Sequence, residues 1–288
     1  MKEITRVGSV AIYTVYHKPL PLPETDALHP IDAGRTDGEH LAFEQNLSEL
    51  RAHYWVWKNA PGADMIGFFH FRRYLDFEAK PGKAPYRIVK EPDASRYRSE
   101  VLLPLLQDAE IIAPRPEYTG LTVWERYAIF PGQDIRDLQT VYRILSETEP
   151  SYRSAADAYL NGREEYYGNL FLMRKEIFRN YCAWLFPILK AFRKERPGAK
   201  PRTEGYLAER LFGIYLTKAT QTGAVVRTVP RLHFTCYDDA LHHTAARRYL
   251  NFFLPPGSRL RGAVNRLRWK RKADRILEQA GDFDRKSV

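Results

Sequence analysis

The densest set of groups able to do chemistry is Asp64-Met65-Ile66-Gly67-Phe68-Phe69-His70-Phe71-Arg72-Arg73-Tyr74, followed closely by Asp76. Its apolar run is short enough for a buried strand. It ends abruptly in a cluster of donors that a core does not accept without partners. Two adjacent guanidiniums suit an anionic ligand, since arginine presents a rigid fork matched to phosphate or carboxylate oxygens. An ion-paired surface turn is the competing reading of the same residue types. In an open α/β sheet, ligands gather in the crevice beyond the carboxyl ends of the strands, so an apolar strand that breaks into polar residues has the geometry of a site.

The elements that must position this stretch follow from pattern. Val7 to Tyr16 is rich in β-branched and aromatic residues without an alternating polar face, which predicts a central strand. Pro19 to Pro23 must be an extended loop, and His29 to Gly34 reads as a second short strand with Asp32 at its end. Leu47, Leu50, Tyr54 and Trp57 share one face of a helix that stops at Asn59-Ala60-Pro61-Gly62. The Met65 to Phe69 strand then completes βαβ spacing. Residues 75–95 read as a loop, Tyr97 to Leu106 as a helix and Asp108 to Pro114 as a short strand. Thr122 to Leu145 is mostly helical with a break at Pro131-Gly132, after which Asp134 can cap a new helix. A strand over Tyr166 to Met173, helices over Lys175 to Phe192 and Tyr206 to Leu216, and an edge strand ending at Pro230 follow. The fold class predicted is α/β, a mixed sheet flanked by helices.

A chain of 288 residues can bury one large core or two modest ones. Cys182 and Cys236 stand far apart with no second Cys or His at metal-ligand spacing, so neither a zinc site nor a disulfide scaffold is indicated. The N-terminus lacks a signal peptide's apolar core and no run is long enough to span a bilayer, so a cytoplasmic location is expected. The net charge of +10 is concentrated at one end. Between Arg247 and Arg275 ten Lys and Arg face only Asp274, which leaves about +2 for residues 1–246. The expected division is therefore a globular domain over 1–246 and a basic helical extension over 247–288, with Leu260, Val264 and Leu267 at helical spacing. Electrostatic docking of 247–275 on an anionic membrane surface fits this distribution at least as well as nucleic-acid binding, and no nucleic-acid partner is expected.

Several ordered motifs resemble one bacterial family. They are Tyr54-Trp55-Val56-Trp57-Lys58-Asn59, Ile66 to Tyr74, Asn169-Leu170-Phe171-Leu172-Met173, Tyr181 to Phe186, and Gly205-Tyr206-Leu207-Ala208-Glu209-Arg210-Leu211. The family is that of capsular and exopolysaccharide biosynthesis proteins marked by a His-Tyr-Arg-Arg-Tyr motif, with Phe71 replacing the tyrosine here. The resemblance covers roughly residues 8 to 235, and residues 34–46 look shorter than the family pattern.

This resemblance implies a GT-A-like, Rossmann-like glycosyltransferase domain. It would transfer a sugar from a nucleotide-sugar donor, such as a UDP-sugar or a galactofuranose-type donor, to a lipid-linked capsular, exopolysaccharide or O-antigen acceptor. It implies a location on the inner face of the membrane. Many GT-A enzymes place Asp-x-Asp where this chain has His70-Phe71-Arg72-Arg73. Two guanidiniums cannot ligate a hard cation, but they can neutralise a leaving diphosphate. No cofactor and no metal are expected on this reading, with Asp76 the residue to suspect if a divalent metal were required. Donor contacts are then implied at Thr14, Tyr16, His17, Lys18, Asp32, Glu49, Arg72, Arg73 and Tyr74, and acceptor contacts at Asn169, Glu209 and Arg210. Deprotonating an acceptor hydroxyl calls for a carboxylate or histidine within reach. Asp134, His70 and Glu204 are the catalytic candidates, with Asp134 preferred and Glu209 read as the structural partner of Arg210. Two other classes stay open: a nucleic-acid-binding protein using the basic helix, and a non-catalytic scaffold for polysaccharide assembly.

Overall fold

The computed structural model describes residues 6–42, 44–60, 62–79, 84–237 and 253–281. Strands β1 (Val10–Tyr16), β2 (Leu28–Asp32) and β3 (Met65–His70) run parallel, with β1 in the middle and α1 (Leu50–Asn59) crossing between β2 and β3. β3 also pairs antiparallel with β9 (Phe171–Arg174), which pairs antiparallel with β6 (Ile111–Pro114). β10 (Val226–Val229) closes this edge parallel to β6, and Pro230 follows it, as expected for an edge strand. The order of the main layer is thus β2-β1-β3-β9-β6-β10.

β3 alternates cleanly. Ile66 and Phe68 enter one core; Met65 and Phe69 enter another on the opposite face. The first core is covered by α1, α3 (Val123–Ile129), α4 (Ile135–Thr148), α5 (Arg153–Leu160), α6 (Lys175–Glu195) and α7 (Thr203–Gln221). The second packs under α2 (Ser99–Leu105) and a branch of short strands. In that branch β4 (Arg73–Leu75) pairs antiparallel with β11 (Arg231–Phe234), which lies parallel to β5 (Tyr86–Val89). Gly67 permits the close approach of β9: a Cβ there would lie 2.6 Å from the Leu172 side chain and 2.9 Å from the Phe171 carbonyl oxygen.

The α/β class and most elements agree with the sequence reading. Three differences bear on the site. Tyr166 to Met173 is not one strand, because Gly168 (φ 94°) and Asn169 (φ 50°) are both left-handed and turn the chain just before β9. The region read as a loop after Leu75 contains β5, and β11 was not foreseen. The short strands β7 (Glu117–Tyr118) and β8 (Glu164–Glu165) form a separate antiparallel ribbon.

The basic helix α8 (Arg259–Gln279) does not stand apart from the rest of the chain. Gly262, Ala273 and Leu277 are buried, Leu277 within the helical-face core. Lys270 Nζ pairs with Glu125 of α3 at 2.9 Å. Gly262 lies so close to Gly120 that a Cβ on Gly120 would overlap its backbone. The junction expected between residues 246 and 247, with Arg247 and Arg248, lies outside the described residues.

Candidate active site

The His-Phe-Arg-Arg-Tyr stretch is a tight hairpin. His70 at the end of β3 pairs with Arg73 at the start of β4, with Phe71 and Arg72 making the turn. The backbone N–H of Arg72 donates to His70 Nδ1 at 3.3 Å. Burial, with Arg73 and Arg72 adding repulsion, holds the His70 imidazole well below its ordinary pKa. A neutral ring whose Nδ1 accepts a bond carries its proton on Nε2, so His70 offers a donor and no free lone pair. It pins the turn that aims the arginines; it is not placed to act as a base.

The hairpin forms one wall of a cavity of about 430 Å³ at the carboxyl end of β3. Arg72 and Arg73 share that cavity with Arg231 and His233 of β11, Arg202 at the start of α7 and Glu209 about two turns into it, and Arg261 of α8. Glu49 and Glu117 complete its carboxylates. Burial, with Arg231, Arg73 and Arg72 adding repulsion, lowers His233 to about 2, so it too is neutral, stacked on Tyr86 with ring centroids 4.5 Å apart. Arg202 holds left-handed backbone at φ 69°, a conformation that costs a β-carbon residue about 1 kcal/mol or more. Arg231 is buried and ion-paired to Glu117.

Glu209 is anchored at both carboxylate oxygens. Its Oε1 accepts the Gly168 N–H at 2.6 Å and its Oε2 accepts from Arg210 Nη1 at 2.7 Å. Each oxygen retains a second lone pair. Burial raises its pKa above the ordinary glutamate value, against the lowering effects of Arg210 and the Gly168 amide. The left-handed Gly168-Asn169 turn makes this arrangement. Gly168 leaves room beside Arg73, whose Nη1 lies 3.7 Å from where a Cβ would stand. Asn169 Nδ2 donates to Glu49 Oε1 at 2.8 Å and to the Gly205 carbonyl at 3.2 Å, tying the helix starts together.

Several residues expected at the site are elsewhere. Asp134 caps α4, accepting the Arg136 N–H at 3.0 Å, with its second oxygen on the Arg136 guanidinium at 2.6 Å. It does not line the cavity, although Gln133 does. Glu204 is buried against Arg193 at 3.1 Å and also lies off the cavity lining. Tyr74 is a core residue packed on Phe69, Tyr97 and Phe234, and Thr14 is buried beneath it. Asp76 is fully buried, held by Arg87 and by Arg96, the latter at 2.6 Å, and does not line the cavity. Asn169 is buried and acts through Glu49 rather than at the surface. Arg210 lines the cavity but is clamped between Glu165 and Glu209. Of the donor-side residues, Tyr16, His17, Lys18 and Asp32 end β1 and β2; the His17 ring lies 6.4 Å from that of His70. Asp32 Oδ1 accepts the Gly34 N–H at 2.7 Å, a turn-closing bond.

Sequence reasoning missed Glu117, Arg231, His233, Arg202 and Arg261. The first three arrive on strands too short to show a period. Among the described residues no three His, Cys, Asp or Glu side chains converge as a cation site, and no helix is long and apolar enough to cross a membrane.

A cavity at the carboxyl end of a central strand, in a mixed sheet with helices over it, is where open α/β folds bind their ligands, and its arginines suit an anionic one. The comparisons agree with that reading. The structure of WbbM, a bifunctional glycosyltransferase, in its apo form superposes with a TM-score of 0.72 at 28% identity. The match covers 79% of this chain and 46% of that one, so the chain spans about half the length of that protein. Residues 11–221 match the family described as a domain of unknown function, DUF4422, and the chain belongs to that family. No curated protein matches.

Proposed function

We propose that the chain is a glycosyltransferase that moves a sugar from a nucleotide-sugar donor to a lipid-linked or polysaccharide hydroxyl. The observation that carries the reading is the pairing, in one cavity, of the Arg72-Arg73 hairpin with the Glu209 carboxylate. Support for the class comes from the likeness to WbbM.

In this reading the donor's nucleoside lies toward Tyr16, His17 and Asp32, and its diphosphate lies against Arg72 and Arg73. Glu209 takes the proton of the acceptor hydroxyl as the acceptor oxygen bonds to the anomeric carbon. The bond from that carbon to the diphosphate oxygen breaks, and the departing charge meets the arginines. Fixed cations at the place where charge develops stabilise the transition state without reorganisation. The base is thus Glu209 rather than Asp134. Arg72 and Arg73 supply the charge neutralisation that a divalent ion supplies elsewhere, so the proposed transfer is metal-independent. The basic segment 247–275 holds the enzyme at an anionic membrane surface, where each Lys or Arg contributes on the order of 1 kcal/mol.

A thermal-shift screen against nucleotide sugars, run with and without EDTA, tests the donor side. Stabilisation by at least one nucleotide sugar in both conditions is expected; no shift with any of them would remove the reading.

A further inference from the structure

Two neighbouring faces of α8 bear on the site: an apolar ridge and, about a quarter turn round the helix from it, Arg261. Leu260, Val264 and Leu267 are 61, 43 and 86% exposed and form a stripe at i, i+4 and i+7. Around them Arg268, Arg271 and Arg275 are on the exposed side, and the helix as a whole carries eight Lys or Arg against Asp274 and Glu278. An apolar ridge set in arginines matches the headgroup and upper acyl layer of an anionic bilayer, into which such helices sink by about 5 to 10 Å. Arg261, the residue after Leu260, lines the cavity that holds Arg72 and Arg73. Arg261 is one residue, about 100° of helix rotation, from Leu260, so it flanks the ridge and stands near the headgroup level when the ridge is seated.

Resting on the transferase reading, we infer that α8 is the floor of the acceptor subsite: its outer ridge lies in an anionic bilayer while Arg261 receives the phosphate or diphosphate through which a glycan is tied to its lipid. The cavity's guanidiniums come from the β3–β4 hairpin (Arg72, Arg73), α7 and its start (Arg210, Arg202), β11 (Arg231) and α8 (Arg261). The hairpin group serves the donor's diphosphate; Arg261 serves the acceptor's. Gly262 and Gly120 make this possible, because their near-contact brings the first turn of α8 close enough for Arg261 to reach inside. An acceptor anchored in the membrane then presents its phosphate at the correct depth without leaving the bilayer.

The test uses the full chain and needs no turnover, so it is independent of whether any sugar is transferred. Co-sedimentation is measured with vesicles of phosphatidylcholine alone and with phosphatidylglycerol added. Binding is measured by calorimetry with farnesyl diphosphate below its micelle concentration and with inorganic pyrophosphate. Wild type is expected to sediment with the anionic vesicles only. A Leu260→Ser, Val264→Ser, Leu267→Ser variant is expected to lose sedimentation, keep its melting temperature and bind both diphosphates as before. Arg261→Ala is expected to sediment normally but to bind farnesyl diphosphate roughly tenfold more weakly, the size of a lost charge-assisted contact. Its affinity for pyrophosphate should change less than twofold, and Arg261→Lys should recover part of the loss. Equal sedimentation of the triple-serine variant, or unchanged farnesyl diphosphate affinity in Arg261→Ala, would overturn the inference. An equal loss for both diphosphates would also overturn it, by assigning Arg261 to the donor.

Discussion

Arg210 holds two carboxylates at once: its Nη1 donates to Glu209 Oε2 at 2.7 Å and its Nη2 donates to Glu165 Oε2 at 3.0 Å. The guanidinium is buried between the rings of Tyr127 and Tyr167. Glu165 and Glu209 are both pushed above the ordinary glutamate range by burial, and Arg210 opposes that shift in each. The clamp thus fixes where Glu209 points and how readily it accepts a proton.

Replacing Glu209 with Gln keeps the shape and removes the base. Turnover is expected to fall by about 100-fold or more, the usual share of general base catalysis, while donor affinity stays within a few-fold. Steady-state kinetics beside a donor titration separate the two; retained turnover would reject Glu209.

Since the base must be unprotonated, the rate should rise with pH through the raised Glu209 pKa and level off above it. Arg210→Lys cannot bridge both carboxylates, so the acid limb of its profile should move to higher pH. Loss of one arm of a buried ion pair is also expected to destabilise the fold by about 3 kcal/mol. A limb that stays in place, measured on variant that remains folded, would show that Arg210 does not tune Glu209.

Asp134 should prove structural. Its bond to Arg136 holds its carboxyl below the ordinary aspartate pKa, so its contribution to stability is present above the unfolded value and fades as pH falls through the folded one. Asp134→Asn retains a competent helix cap but loses the ion pair. Turnover within twofold of wild type is expected, with a small loss of melting temperature at pH 7 that disappears in acid. Loss of turnover in a folded Asp134→Asn protein would return the base to that residue.

Gly67→Ala tests how β3 is held. The added methyl would meet the Leu172 side chain and the Phe171 carbonyl, and overpacking of this kind costs about 1 to 3 kcal/mol. Chemical denaturation should show that loss.

Long periodic segments were legible in the sequence: the parallel βαβ start, the break before Asp134, the α6 and α7 helices and the edge position of β10 all follow from spacing and proline. The cationic strand end was legible too, because Arg72 and Arg73 follow an apolar run that must be buried. Asp134 misled for a physical reason, since an aspartate after Pro-Gly has the same signature whether it caps a helix or faces a cleft. For Glu209 the residue types point to a structural role, because an adjacent Glu-Arg pair on a helix is usually only an ion pair. Here Arg210 turns inward to Glu165, and the Gly168 amide draws Glu209 to the cavity. Contacts such as Arg231–Glu117, 114 positions apart, leave no local trace.

The central claim is metal-independent sugar transfer on the Arg72-Arg73 hairpin. Its most direct measurement is release of nucleoside diphosphate from a panel of nucleotide sugars in EDTA, comparing wild type with Arg72→Ala, Arg73→Ala. Turnover of at least one donor, unchanged by EDTA and lost in the double variant, is the expected result. Turnover abolished by EDTA and restored by magnesium or manganese, or undiminished in the double variant, would contradict it.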